Sequence, residues 1–118
     1  MTNQQAFEIS VKHMLCAKGQ SINSEGDCAY RGKHGRKCAI GVLIPDEQYH
    51  EEMEGESVKF LHLACLENLN LGLLIQLQGT HDTHNKKEGK LSWPPSISRF
   101  KSMAERHGLD ASFLNRVN

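Results

Sequence analysis

The feature that most constrains this chain is a short apolar run, residues 39–44 (AIGVLI), closed by Pro45 and set between opposite charges. Arg31, Lys33, Arg36 and Lys37 precede it, and Asp46, Glu47, Glu51, Glu52, Glu54 and Glu56 follow it. The run has to be buried while its charged flanks reach water, so the backbone enters the core and leaves it within a few residues. A run this short fits a buried strand and a buried helical turn equally well. Proline ends it in either case. Just upstream, residues 28–30 and 37–39 flank a Gly32-Lys33-His34-Gly35 turn. That pattern predicts a small β-hairpin, with two glycines available for left-handed angles.

Helical periodicity surrounds this centre. Phe7, Val11, Met14 and Leu15 recur at spacings of three and four, predicting an amphipathic helix over 4–18 that Gly19 stops. Residues 20–27 read as loop, and residues 46–50 as one helical turn followed by a loop to Gly55. Ser57 is placed to cap a helix through about residue 68, with Val58, Leu61, Cys65 and Leu69 on one face. Leu71, Leu74, Ile75 and Gln78 form a further stripe ending at Gly79, and residues 80–90 read as an exposed polar loop. A last helix begins at Ser96, buries Ile97, Phe100, Met103 and Ala104, and ends at Gly108 with Leu109 as the apolar contact beyond. The expected architecture is α+β and mostly helical: about four helices packed around a small β-hairpin. It forms one domain over 1–118, with residues 1–4 and 111–118 loosely ordered and Phe113, Leu114 and Val117 available to dock the tail.

Composition narrows the function classes. Fourteen basic residues balance fourteen acidic ones, which indicates neither a nucleic-acid binder nor an acidic mimic of one. No apolar run reaches membrane-spanning length, and the first ten residues lack the pattern of a secretory signal, so a cytoplasmic location is expected. Four cysteines in such a chain suggest thiols or metal ligands before disulfides. Cys16 and Cys65 fall on apolar helical faces, where a free cysteine acts as a small hydrophobe.

Three constellations have the residue types for chemistry. Cys38, with His81 as base and Asp82 to orient it, has the composition of a thiol nucleophile site for a hydrolase or transferase. Packing of Cys38 and hydrogen bonding by the loop pair explain the same residues without a reaction. Cys28, Cys38, His81 and His84 carry zinc-ligand types, but without the close cysteine pair of a structural zinc site. The RGKHGRK turn (31–37) has glycine amides and basic side chains suited to an anion, without the order of a phosphate-binding loop or its following helix. His13, His34, His50, His62 and His107 have no evident partners. No cofactor is called for. The segregated charge also reads as a recognition surface: Tyr30, Arg31, Arg36, Lys37, Asp46, Tyr49, Glu51 and Glu54 are its candidate partner-binding residues, against the alternative of two solvated faces.

With these residues in view, the chain resembles a family of small uncharacterised proteins of bacteriophages and bacterial genomes. The pattern is Cys28, Tyr30-Arg31-Gly32, Gly35, Lys37-Cys38-Ala39, Gly41, Leu43-Ile44-Pro45-Asp46, Tyr49 and Met53-Glu54-Gly55, then Leu77-Gln78 and His81-Asp82. A tryptophan and a closing amphipathic helix follow. The resemblance implies a small accessory protein, made in the cytoplasm of an infected or lysogenic bacterium, that binds and modulates a host or phage macromolecule, defence components included. It carries over no catalytic role.

Overall fold

A computed structural model describes residues 1–83 and 93–116. Three α-helices, α1 (Asn3–Cys16), α2 (Leu71–Thr83) and α3 (Ile97–His107), carry the core. Between α1 and α2 the chain runs through six one-turn 3-10 segments. Among the described residues no helix is long and apolar enough to cross a membrane.

Each helix starts where side-chain chemistry satisfies its first amides. Thr2 and Gln5 form a capping box: the Gln5 amide donates to the Thr2 hydroxyl at 3.1 Å and the Thr2 amide to Gln5 Oε1 at 2.8 Å. Helix α1 then buries Ala6, Phe7, Ser10, Val11 and Met14 on one face. It stops at Ala17, two residues before Gly19, where the backbone turns extended. Asn70 accepts the Leu73 amide at the head of α2, and Ser96 accepts the Arg99 amide at the head of α3. At the end of α3, Gly108 takes φ +65°, its amide reaches Glu105 O and that of Leu109 reaches Ala104 O, the paired closure that a left-handed residue permits.

The expected α+β class is not what the chain adopts. Among the described residues there is no strand, only isolated bridges at Ile22–Cys28 and Arg31–Lys37. The hairpin fails because its backbone groups are drawn elsewhere. Gly32 N reaches Arg36 O, but Lys33 N turns to Ile22 O and the tip closes as a 3-10 turn, Lys33–Gly35, with His34 at φ +62°. After Cys38 N bonds Tyr30 O, the chain folds over Tyr30 so tightly that a Cβ on Gly41 would sit 2.1 Å from the Tyr30 carbonyl oxygen. The apolar run therefore enters the core as a single turn, Gly41–Leu43.

The helix expected over 57–68 is also absent. Two separate turns, Val58–Phe60 and Ala64–Leu66, stand in its place. Gln48 Oε1 takes an amide such a helix would have used, that of Cys65, at 2.9 Å, while Gln78 Oε1 holds the Val58 amide, also at 2.9 Å, at the position where a helix capped by Ser57 leaves an N–H free. Helix α2, conversely, passes Gly79 and continues to Thr83, so residues 80–83 are helical, while the rest of the expected 80–90 loop lies outside the described residues.

The core is continuous. Phe7, Met14, Ile40, Leu73, Leu77 and Phe100 are each fully buried within it. α1 packs on the Gly41–Leu43 turn and on α2, and α2 packs on the Val58–Phe60 turn and on α3. The tail docks as a turn, Ser112–Arg116, with Phe113 meeting Phe7 edge-on at 5.8 Å and Leu114 buried. Val117 lies outside the described residues.

Candidate functional site

Glu54 gathers the charged centre. Its Oε1 accepts the Tyr30 amide at 2.8 Å; its Oε2 accepts the Arg31 amide at 3.1 Å and the Tyr49 hydroxyl at 2.7 Å. The Arg31 guanidinium lies over the Tyr49 ring, 4.3 Å from its centroid, and donates to Asp46 Oδ1 at 2.7 Å and to Ile44 O at 3.3 Å. Arg31 Nε is buried with no acceptor. Burial, then the neighbouring Glu54, pushes the Tyr49 hydroxyl up to about 12. The basic and acidic halves of the sequence are thus clamped to each other. Arg31, Tyr49, Glu51 and Glu54 share the wall of one open depression of about 450 Å³ with Asn23 and Asp27. The other residues expected with them do not line this depression. Tyr30 is buried, Arg36 donates to Gln20 O at 3.3 Å, and the Lys37 carbonyl accepts from His13 Nε2 at 2.6 Å. Asp46 stays exposed on the guanidinium.

Beside the depression, Cys28, Tyr30, Cys38, Ser57, Gln78 and Asp82 line a cleft of about 210 Å³. The Tyr30 hydroxyl donates to Glu56 O and accepts from Gln78 Nε2 at 2.9 Å, and burial raises it above the ordinary phenol range. Cys38 is 3% exposed, and its sulfur accepts the Gly41 amide at 3.2 Å. Burial pushes its thiol up to about 12, the opposite of what an activated nucleophile needs. Cys38 and Asp82 therefore share a cleft, with the thiol held in its neutral form.

His81 is fixed from all sides. The Ser21 amide donates to Nε2 at 3.0 Å, so the ring proton sits on Nδ1 and is donated to Asp82 Oδ1 at 2.8 Å. Trp93 meets the ring edge-on at 5.5 Å, and Gln20 Nε2 caps the His81 and Asp82 carbonyls, both at 2.9 Å. With both nitrogens engaged, the ring has no lone pair left to take a proton from a thiol.

The sulfur grouped with this pair is that of Cys28: one donor atom each of Cys28, His81 and Asp82 lies within 4.8 Å of the others. These are metal-ligand types, but the ring does not fit the role as folded. Nε2 faces an amide proton, and ligation through Nδ1 would move the ring proton onto Nε2, against that same amide. Of the expected zinc set, Cys38 is committed to Gly41 and His84 lies outside the described residues. None of the four cysteines forms a disulfide, and Cys16 is exposed.

The RGKHGRK turn does not present a ring of open amides either. Those of Gly32, Lys33 and Arg36 are bonded to Arg36 O, Ile22 O and Lys33 O. Sequence reasoning also missed two histidine contacts, His13 with Lys37 O and His107 with Gln76 Oε1 at 2.6 Å, which no spacing in the sequence signals. Asp27 was missed as a wall of the depression for the same reason. Comparison with known proteins finds no matching family model, no similar curated protein and no similar solved structure.

Proposed function

We propose that this is a small accessory protein that binds a macromolecular partner, of the host or phage kind the family resemblance implies, and that a lysine or arginine side chain of that partner enters the depression at Tyr49. The observation that carries this reading is the composition of the wall: the Arg31 guanidinium is already bonded to Asp46 and stacked on Tyr49, Glu54 is taken up by the clamp, and the wall holds the further carboxylates of Asp27 and Glu51. Carboxylates in excess beside an aromatic ring attract a cationic side chain. The clamp supports it by holding the wall in place before a partner arrives, which lowers the ordering cost of binding.

A reaction at Cys38 is the weaker reading. It requires an accessible thiolate and a free imidazole, whereas Cys38 is buried and His81 is bonded at both nitrogens.

The test is affinity capture of the tagged protein from bacterial lysate with quantitative mass spectrometry, comparing wild type, Glu51→Lys and Cys38→Ser. Glu51 is exposed, so its reversal leaves the fold intact. A partner held by wild type and Cys38→Ser but lost with Glu51→Lys is the expected result. Equal retention by Glu51→Lys removes the depression from the interaction. A reduction-sensitive adduct formed by wild type alone returns the thiol reading to first place.

A further inference from the structure

Helices α2 and α3 leave a second, separate groove on which the foregoing reading does not depend. Its walls are Ile75, Gly79 and Thr83 on α2 and Arg99, Met103 and Arg106 on α3, and it encloses about 440 Å³. Ile75 is 42% exposed, and Met103 is buried between the helices. Arg99 and Arg106 stand seven residues apart, two helical turns, and so face the same way. Neither has an ion-pair partner among the described residues.

Gly79 adds an independent observation. It lies inside a helix, where glycine is among the poorest residues, and a Cβ built on it would meet nothing within 4 Å. Its backbone angle is not left-handed, and among the described residues no neighbour occupies the space. The missing side chain leaves open space at this point of the groove.

We propose that this groove docks an acidic peptide segment of a partner protein, with one apolar residue seated over Gly79 against Ile75 and Met103 and flanking carboxylates on Arg99 and Arg106. Ile75 and Met103 give the groove an apolar spot among the polar Gln76, Thr80 and Ser102, and with the guanidinium rims they match such a segment in both chemistries. A nucleic-acid strand fits less well, since it offers no apolar anchor for Ile75 and the chain has no net positive charge. A second copy of the chain fits less well too. Its own acidic stretch, 46–56, holds its one methionine, Met53, buried at 2% exposure. Residues 84–92 carry Lys86, Lys87 and Lys90 against Glu88, like in charge to the two arginines.

The experiment selects a random peptide display library on the full-length protein. Enriched peptides are resynthesised with fluorescein and titrated by anisotropy against wild type, Gly79→Ala, Gly79→Leu, Arg99→Glu and Arg106→Glu. The expected peptides carry Asp or Glu around a single Leu, Met or Phe and lose about tenfold in affinity or more with Gly79→Leu and with either reversal. Glu51→Lys leaves them unaffected, which separates this groove from the depression at Tyr49. Gly79→Ala, a better helix former, raises the melting temperature and still weakens the peptide; it also serves as the readout if Gly79→Leu does not fold. Enrichment of basic sequences, no enrichment, or affinities indifferent to these variants overturns the proposal. So does a labelled oligonucleotide that binds through the same arginines, or a concentration-dependent dimer that Arg106→Glu dissolves.

Discussion

Cys38 shows how one residue type reads differently once its surroundings are known. In the sequence it follows two basic residues, a setting that lowers a thiol pKa; in the fold it is sealed and accepts an amide proton. Its thiol stands at about 12 against an ordinary 9.0. A folded-state value above the unfolded one gives stability that is complete below the unfolded value and is lost as pH rises toward the folded one. The denaturation midpoint is accordingly expected to fall between about pH 9 and pH 12, less steeply in Cys38→Ala than in wild type, and chemical denaturation at stepped pH checks this. Identical slopes would mean that the thiol reaches water. The same burial makes Cys38 slow to alkylate in the native state, with exposed Cys16 labelled first. Gly41 lies at the same scale and was legible: its close packing follows from a glycine inside an apolar run, although the partner, the Tyr30 carbonyl, is a tertiary fact.

At the scale of elements, α1 and α3 were readable because their apolar spacing and capping residues agree, and boundaries differ from expectation by a residue or two. The centre was not readable. Residues 57–68 have a helical stripe, yet Gln48, distant in sequence, takes the Cys65 amide that the helix would need, and Gln78 holds the chain at Val58; no local pattern reports a side chain arriving from elsewhere. Gln78 does two tasks at once, since its amide nitrogen also donates to the Tyr30 hydroxyl. Gln78→Ala should leave the Val58 amide and the Tyr30 oxygen each short of a partner, at a cost of about 2 kcal/mol. Hydrogen exchange at Val58 should accelerate while amides in α1 keep their protection. Unchanged exchange at Val58 would show that the turn is held by its apolar contacts alone. The candidate site was half legible for a related reason: Cys28, Cys38 and His81-Asp82 stood out, but Ser21, which fixes the ring, comes from a loop without pattern.

For the molecule as a whole, closure depends on contacts between its two ends. Gln4 donates to Asp110 O and accepts the Asp110 amide, both at 2.8 Å, and Phe113 and Leu114 enter the core beside Phe7. The tail therefore completes the fold instead of trailing from it. Truncation after Asp110 removes two buried side chains and should lower stability by about 4 kcal/mol, read as a drop in melting temperature; a truncated chain with an unchanged melting temperature would show that the core closes without them. Neutral overall composition conceals a division of charge, with acid concentrated at 46–56 and base prominent among residues 86–106. Net charge alone could not reveal this division.

The Glu54 clamp also bears on time. Its bonds join residues 23 and 24 positions apart, and the Ser10 hydroxyl finds the Ala39 carbonyl over 29, whereas Gln4 and Asp110 meet across 106. Short loops close at lower entropic cost than long ones. As the polypeptide leaves the ribosome, the groups that α1, the tip at Lys33–Gly35 and the clamp require have all emerged before α2 is complete. The first half of the chain can thus assemble its charged centre during synthesis. Helices α2 and α3 and the tail, synthesised later, supply the remaining core contacts.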